Sequence, residues 1–157
     1  MDAIEAVRVY TALQAQDMPV RIEGGWAVDA LLHIHNPHDD LDLLVGNEYE
    51  SQCRKIMPEM DYSLSRDKSP SKLDSRDDKK HKVTIHFGSI SNGTLRRKTS
   101  TEVFVYSTEA VEGRINGTRV RCVTPKDLLE RYKGSTRDKD RKYCQLLQNY
   151  LDSYNNS

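Results

Sequence analysis

The sequence predicts a single α/β domain over residues 1–157, with a mixed β-sheet flanked by helices and a pair of helices at the C-terminal end. Three observations favour this fold class. Apolar residues recur at helical spacing near both ends of the chain, and strand-like alternation occupies its middle. A glycine pair at 24–25 separates a predicted short strand from a predicted apolar helix. A chain of 157 residues buries about two thirds of its unfolded surface, so one domain can form a complete core.

The first third of the chain predicts helices and strands in the order αβαβα. Every third residue from Ile4 to Leu13 is apolar, which indicates a helix over 2–17. The elements that follow are a strand over 20–22, a helix over 27–32, a strand over 41–45 and a helix over 48–57. Pro37 and Pro58 mark the ends of the two later helices, because proline interrupts a helix.

The middle of the chain predicts antiparallel β-structure. Residues 83–87 alternate between apolar and polar side chains, and 103–106 form a second strand-like run. Asparagine–glycine pairs at 92–93 and 116–117 predict tight hairpin turns, because both central residues of such a turn have positive φ. The almost purely polar segment 65–82 is too long for an ordinary connection, and we interpret it as either a mobile flap or a solvated loop.

The C-terminal part predicts two helices. Thr124, Pro125 and Asp127 supply an N-cap, a proline at the first helical position and an acid in the first turn. A last helix over 138–153 presents tyrosine and leucine residues at helical spacing.

Composition narrows the class of protein. Lysine and arginine number 24, as do aspartate and glutamate, so there is no basic field to favour a duplex nucleic acid. Cys53, Cys122 and Cys144 are widely spaced, which predicts reduced and mostly buried thiols rather than disulfides or a zinc site. No apolar run approaches the roughly 18 residues of a membrane span. We therefore expect a soluble, cytoplasmic protein without a membrane partner.

The most informative feature combines Gly24 and Gly25 with the motif Asp40-Leu41-Asp42. Side chains alternate across a strand, so Asp40 and Asp42 share one face while Leu41 faces the core. Two carboxylates on one face can chelate divalent cations, and the glycines allow close approach of a phosphate to a helix N-terminus. The combination indicates a metal-dependent phosphoryl or nucleotidyl transfer site.

The segment 24–32, together with 38–42, resembles the small antibiotic nucleotidyltransferases, namely the aminoglycoside 2″-adenylyltransferase and lincosamide nucleotidyltransferase type of the polymerase-β-like superfamily. The resemblance implies a nucleotidyltransferase core. It also implies transfer of a nucleoside monophosphate from a magnesium-bound triphosphate, ATP or another NTP, to a hydroxyl of an aminoglycoside or lincosamide. Gly24 and Gly25 would then cradle the triphosphate, while Asp40 and Asp42 would hold Mg²⁺.

One position departs from the family pattern. The family carries a third carboxylate on a later strand, and here the corresponding residue is Thr84, which cannot act as a base near neutral pH. We consider Glu102 the replacement, with Asp77 or Asp78 of the polar segment as an alternative. A third explanation is a protein that binds nucleotide without turning it over. Transfer to a protein or RNA acceptor is a further alternative.

Further candidate residues lie near the C-terminal helices, on the later strand and around the aspartate motif. Lys133 and the charged run 137–140 resemble helical positions that contact phosphates in the superfamily. His86 shares a strand face with Thr84, and we interpret it as a hydrogen-bonding residue or a base. We expect His38 to orient the aspartate loop. Structural roles or surface positions are expected for the neighbouring residues Asp29, His33, His35 and Asp39. Because the chain offers little material for an acceptor pocket, a homodimer is also possible.

Overall fold

The computed structural model describes residues 1–65 and 71–155, and it confirms the predicted α/β class. Over these residues the chain forms five α-helices, namely α1 (Ala3–Gln14), α2 (Gly24–Leu32), α3 (Glu50–Glu59), α4 (Pro125–Tyr132) and α5 (Asp138–Asn155). The same residues form nine strands: β1 (Arg21–Glu23), β2 (Asp40–Gly46), β3 (Ser63–Leu64), β4 (Lys72–Arg76), β5 (Lys82–Ser91), β6 (Thr94–Lys98), β7 (Val103–Ser107), β8 (Val111–Ile115) and β9 (Thr118–Cys122).

The strands build one mixed sheet in the order β3-β4-β5-β2-β1-β9-β8. At its centre, β2 pairs in parallel with β5 and antiparallel with β1. The long strand β5 changes neighbours along its length, because its first half pairs with β4 and its last residues pair with β6. The hairpin of β6 and β7 therefore extends from one end of the sheet. The helix α2 packs on β1, β2, β8 and β9.

Local sequence signals explain several element boundaries. The Thr124 side chain accepts a hydrogen bond from the backbone N–H of Asp127 at 3.1 Å, so the predicted N-cap of α4 is confirmed. Asn92 and Asn116 both have positive φ, 48° and 47°, which confirms the two predicted hairpin turns. The helix α3 continues to Glu59, two residues beyond its predicted end at Met57, so the prediction that Pro58 ends it was wrong.

The helix α1 buries a different face from the predicted one. Ile4 is 71% exposed, whereas Tyr10 and Leu13 are buried together with Ala6 and Val9. The buried positions follow the i, i+3, i+4, i+7 spacing of a true helical face, which strict threefold spacing only approximates. The Tyr10 hydroxyl accepts a hydrogen bond from the backbone N–H of Arg121 at 2.9 Å, which links α1 to β9.

The polar segment 65–82 is not the unstructured connection that the sequence predicted. Its residues 72–76 form β4, which pairs antiparallel with β5, and the neighbouring Asp77 accepts a hydrogen bond from the backbone N–H of His81 at 2.8 Å. Residues 66–70 of the predicted flap lie outside the described part of the chain. The strand escaped prediction because only Leu73 and Ser75 of β4 are buried, so it lacks an apolar face.

The three cysteines agree with the prediction of reduced, mostly buried thiols. The cysteines are free, with Cys53 and Cys122 buried and Cys144 partly exposed. Burial raises the pKa of the Cys53 thiol to about 12, so that this thiol is held in its protonated form near neutral pH.

Among the described helices, none combines the length and the hydrophobicity that crossing a bilayer requires.

Acid stability should depend on Glu5. Arg8 donates hydrogen bonds to both Glu5 carboxylate oxygens, and the Tyr62 hydroxyl donates a third at 2.8 Å. The bond from Arg8 lowers the pKa of Glu5 from 4.5 to about 2, although burial opposes this shift. A depressed carboxyl pKa contributes stability above the unfolded pKa, and this contribution disappears as the pH falls from about 4.5 toward 2.

We therefore expect Glu5→Gln to lower the free energy of unfolding at pH 7 by about 1–2 kcal/mol and to flatten its decline between about pH 5 and pH 2. Urea unfolding at a series of pH values measures both effects. Glu59→Gln, at an exposed position on α3, is the control. Equal pH slopes for the two variants would contradict this account.

Candidate active site

A cavity of about 930 Å³ opens at the end of the central strands. Its lining comes from the first turn of α2, from five strands (β1, β2, β4, β5 and β6) and from the facing ends of α4 and α5. The predicted site residues Gly24, Gly25, Asp40 and Asp42 all line it. The structure therefore brings together the two motifs that the sequence connected.

The chain bends sharply at Gly24. Glu23 at the end of β1 pairs with Asp42 of β2, and the next residue turns into α2 with a φ of +70°. A Cβ atom at Gly24 would lie 2.7 Å from the Asp42 Oδ2 atom, which is closer than real side chains approach. The absence of a side chain at Gly24 thus lets the N-terminus of α2 face the carboxylate directly.

Asp40 and Asp42 project from the same face of β2 into the cavity, as the strand alternation predicts. Their side chains are 41% and 29% exposed, so both are open to a ligand. Burial and the nearby Asp42 carboxylate raise the pKa of Asp40. A divalent cation between the two acids would relieve this repulsion, and carboxylate oxygens are the ligands that Mg²⁺ accepts. The donor set therefore fits a magnesium ion.

Buried hydrogen bonds hold the loop that precedes β2. Asp29 on α2 accepts hydrogen bonds from the Asn36 backbone N–H at 2.6 Å and from the Asn36 side chain at 2.8 Å. The His38 ring lies 2.9 Å from the same carboxylate, and both side chains are buried. The structural hydrogen bond that the sequence predicted for Asp29 is thus observed, and His38 is one of its partners. Because a Cβ at Gly25 would lie 2.7 Å from the His38 ring, this loop also packs against the glycine bend.

A third carboxylate enters the cavity from β4 rather than from β5. Asp42, Thr84 and Asp74 occupy one row across three neighbouring strands. The Thr84 hydroxyl donates a hydrogen bond to Asp74 Oδ1 at 2.8 Å, and Lys72 binds the other oxygen at 2.8 Å. Burial opposes ionisation of Asp74, but these hydrogen bonds prevail and lower its pKa. Thr84 and the carboxylate to which it donates a hydrogen bond therefore both line the cavity.

The floor of the cavity contains a buried carboxylate among cations. Glu23 is 3% exposed, and its Oε1 accepts a hydrogen bond from the Tyr106 hydroxyl at 2.5 Å. Arg131 and Arg97 approach the carboxylate at 3.6 and 3.9 Å, and both guanidinium groups lie over the Phe104 ring. Within the described chain, Glu23 Oε2 and two Arg97 nitrogens have no hydrogen-bond partner. Buried polar atoms of this kind are normally satisfied, so these atoms indicate a place for a ligand or for water.

Known proteins resemble this chain in sequence and in fold. A family profile described as "Aminoglycoside-2''-adenylyltransferase" matches residues 5–147. The chain belongs to the aminoglycoside-2''-adenylyltransferase family. Curated 2''-aminoglycoside nucleotidyltransferases from Escherichia coli and Klebsiella pneumoniae are 32% identical over 76 residues, which cover 41% of this chain and 43% of each relative. The match therefore spans less than half the length of these relatives.

Solved structures match more of the chain at lower identity. The lincosamide antibiotic adenylyltransferase LnuA, in its lincomycin-bound form, superposes with a TM-score of 0.77 at 15% identity, covering 92% of this chain and 94% of LnuA. ANT(2'')-Ia in complex with adenylyl-2''-tobramycin superposes with a TM-score of 0.73 at 18% identity, covering 94% of this chain and 90% of ANT(2'')-Ia. These likenesses confirm the nucleotidyltransferase fold that the sequence predicted.

The three acids that the sequence suggested as replacements for the third carboxylate, Glu102, Asp77 and Asp78, do not line the cavity. Glu102 is exposed, and its backbone rather than its carboxylate bonds Thr99, so it does not line the cavity. Asp77 holds His81 at 2.8 Å and is likewise absent from the lining, as is Asp78. The prediction that these acids replace the missing carboxylate is therefore not supported by the geometry, because the strand β4 brings Asp74 there instead.

The phosphate-contact prediction needs a similar correction. Lys133 is exposed and pairs with Glu130, and it does not line the cavity. The preceding turn of α4 presents Arg131 instead, since α4 ends at Tyr132 and Lys133 has left the helix. The charged run 137–140 does contribute to the lining, through Arg137, Lys139 and Asp140. His86 also lies in the cavity, with its Nε2 atom 3.3 Å from Asp42 Oδ1.

The glycine bend can be tested by stability. We expect Gly24→Ala to lower the free energy of unfolding by about 1–2 kcal/mol because of the positive φ. The clash of the added Cβ with Asp42 should lower it by about 1–3 kcal/mol more. Gly117 is the matched control, because it has a φ of +77° with no atom within 4 Å of an added Cβ. Urea unfolding of both alanine variants measures the difference. Equal destabilisation of the two would show that Asp42 does not constrain position 24.

Proposed function

We propose that this protein transfers a nucleoside monophosphate from a metal-bound nucleoside triphosphate to a hydroxyl group of a small molecule, with release of pyrophosphate. The observation that carries the proposal is the position of Asp40 and Asp42, which share one cavity with the glycine bend at the start of α2. Membership in an adenylyltransferase family, matched over residues 5–147, supports the same reaction class and favours ATP as the donor.

Asp40 and Asp42 are the residues that would hold Mg²⁺. The bound ion would screen the triphosphate charge and stabilise the charge that develops during an in-line displacement at phosphorus. The protein contributes two carboxylates on one strand face, fixed by the pairing of β2 with β1 and β5. The buried pair of His38 and Asp29 supports this strand from the loop that precedes it.

The triphosphate would lie at the N-terminus of α2. This helix has nine residues, and Gly24 and Gly25 in its first turn line the cavity, where the helix dipole favours an anion. Arg131 and Arg97, which both approach Glu23, also line the cavity and add positive charge. The unpartnered Arg97 nitrogens are suitable donors for phosphate oxygens.

Thr84 and Asp74 offer a route for the proton of the acceptor hydroxyl. The Thr84 hydroxyl already donates its proton to Asp74, so its oxygen can accept a hydrogen bond from the acceptor. As the acceptor oxygen bonds to the α-phosphorus and the bond to the pyrophosphate oxygen breaks, the acceptor proton passes to Thr84. The Thr84 proton passes to Asp74 at the same time. A threonine and a neighbouring aspartate would thus together replace the family's third carboxylate.

The acceptor, the assembly and the location remain proposals as well. The family description names an aminoglycoside, and LnuA is a lincosamide adenylyltransferase, so a hydroxyl of an antibiotic of either class is a candidate. A homodimer and a cytoplasmic location stay predictions from the sequence. Sedimentation and cell fractionation, respectively, test them.

A threonine at position 84, where the family carries a carboxylate, favours one rival function. In this alternative the protein binds nucleotide but does not catalyse its transfer. This rival predicts that nucleotide binds without pyrophosphate release on any acceptor, and that Thr84→Asp creates activity. Transfer to a protein or RNA would instead appear as a mass increase on a macromolecule from a cell lysate. Pyrophosphate release with a small hydroxyl acceptor separates the proposed function from both.

The metal-binding assignment predicts a specific loss. Asp42→Asn should lower magnesium-dependent pyrophosphate release by at least about 100-fold, because one of two anionic metal ligands becomes neutral. Calorimetry should also show weaker binding of ATP in the presence of Mg²⁺ but little change without the metal. Asp39→Asn, at the exposed neighbouring position outside the cavity, should leave both measurements unchanged. A fully active and folded Asp42→Asn protein would contradict the assignment.

The proton route predicts a difference between two substitutions of one residue. Thr84→Val should lower turnover by roughly 10²- to 10⁴-fold, since no hydroxyl remains to pass a proton, whereas Thr84→Ser should retain most activity. Asp74→Asn should behave like the valine variant, with ATP affinity unchanged in all three. Single-turnover assays combined with calorimetry distinguish these effects. Wild-type turnover in Thr84→Val would exclude the route.

A further inference from the structure

Tyr143 of α5 brings an unpartnered hydroxyl group to the cavity. Its side chain belongs to the cavity lining and is only 3% exposed. Residues 1–65 and 71–155 supply no hydrogen-bond partner for the Tyr143 hydroxyl oxygen. Because buried hydroxyl groups are normally hydrogen-bonded, this oxygen indicates a position for a ligand group or for water.

The hydroxyl lies against the first turn of α2. A Cβ atom at Gly25 would be 2.9 Å from the Tyr143 oxygen, so the glycine allows the hydroxyl to approach the start of this helix closely. The tyrosine ring contacts the Tyr132 ring, at 5.4 Å between centroids, and the Lys139 ammonium group lies 5.7 Å from its centroid. These contacts hold the hydroxyl beside a helix end that favours an anion.

The hydroxyl keeps its proton near neutral pH. Burial raises the pKa of Tyr143 to about 12, and the charges of Asp29 and Asp140 act in the same direction. Tyr143 therefore presents an O–H donor rather than a negative charge. A phosphate oxygen is a strong acceptor for such a donor.

The sheet order indicates which part of the nucleotide lies beside Tyr143. Asp42 on β2 pairs with Thr84 of β5 on one side and with Glu23 of β1 on the other, and the glycine bend follows Glu23 directly. The proposed proton route at Thr84 and the start of α2 therefore lie on opposite sides of this metal ligand. In an in-line displacement, the attacking and leaving oxygens also lie on opposite sides of the phosphorus. With the acceptor at Thr84, the leaving pyrophosphate lies at the start of α2.

We propose that the Tyr143 hydroxyl donates a hydrogen bond to the pyrophosphate part of the nucleotide and stabilises the negative charge that develops there. The inference rests on the proposed nucleotidyl transfer and adds a catalytic residue from α5. As the acceptor oxygen bonds to the α-phosphorus, the bond from this phosphorus to the bridging oxygen breaks, and its electron pair stays on the pyrophosphate. Tyr143 keeps its proton, and its hydrogen bond becomes stronger as the charge on the pyrophosphate grows.

Calorimetry with magnesium pyrophosphate and with adenosine tests the position of the hydroxyl. Tyr143→Phe removes one oxygen atom and keeps the ring that packs on Tyr132. It should weaken binding of magnesium pyrophosphate about tenfold, because a hydrogen bond to a charged group is lost, and it should leave binding of adenosine unchanged. Tyr150→Phe, about two turns later on α5 and outside the cavity lining, should change neither. Equal responses of the two variants to pyrophosphate would overturn the proposal, as would equal weakening of both ligands in Tyr143→Phe.

Single-turnover transfer to tobramycin or lincomycin, whichever the wild type modifies, tests the effect on the leaving group. Tyr143→Phe should lower the rate of transfer from ATP by roughly 10- to 100-fold. The β,γ-methylene analogue of ATP has a more basic leaving group, which depends more on stabilisation. The ratio of the rates with ATP and with this analogue should therefore be larger in Tyr143→Phe than in the wild type, whereas a merely structural role leaves the ratio unchanged. A wild-type rate and ratio would overturn the proposal.

Failure of this inference can be told apart from failure of the proposed function. If the wild type binds a non-hydrolysable ATP analogue with Mg²⁺ and Asp42→Asn loses this binding, the nucleotide site stands even when Tyr143→Phe binds pyrophosphate normally. Only the role of Tyr143 is then refuted. If the wild type binds neither the analogue nor magnesium pyrophosphate, the proposed function is wrong and the inference fails with it. Where the wild type modifies neither antibiotic, the calorimetric comparison alone decides.

Discussion

The site depends on one steric constraint, the close approach of the Gly24 backbone to Asp42. Pairing of Glu23 with Asp42 brings the end of β1 beside the carboxylate, and the chain then turns into α2 at a positive φ. A Cβ at this turn would be 2.7 Å from the Asp42 oxygen, so only glycine permits the arrangement. A positive helix end and a pair of acids therefore face each other across a space suited to a metal-bound polyphosphate.

The sheet distributes the other chemical groups around this point. Because β5 lies between β2 and β4, the row of Asp42, Thr84 and Asp74 spans about 10 Å across three strands. A carboxylate on β4 can thus act through the hydroxyl on β5 without occupying its position. The buried Glu23 charge is costly, and the guanidinium groups of Arg97 and Arg131 together with the Tyr106 hydroxyl reduce that cost. Charged groups fixed in place before the reaction suit a site that must stabilise transferring charge.

Sequence reasoning found the parts of this site whose signal is local. The glycine pair, the alternation through Asp40 and Asp42, and the cap at Thr124 each lie within a few residues, and their geometry follows from the chain itself. Asp74 could not be found in this way, because its strand is polar and its role depends on pairing with Thr84 ten residues later. The environment of Arg97 is hidden in the same way, since its burial comes from contacts with Phe104 and Glu23 on distant elements. The long-range contacts that create an unusual environment are what a single sequence conceals.

The most direct test of the central claim is a crystal structure with a non-hydrolysable ATP analogue and Mn²⁺, in which anomalous scattering locates the metal. The account predicts a metal peak within about 2.0–2.6 Å of oxygens from Asp40, Asp42 and the phosphates, with the triphosphate over Gly24 and Gly25. Manganese bound elsewhere, for example at the cluster of Glu5, Asp77 and His81, with no metal between the two aspartates, would contradict it. So would a nucleotide that binds away from the start of α2.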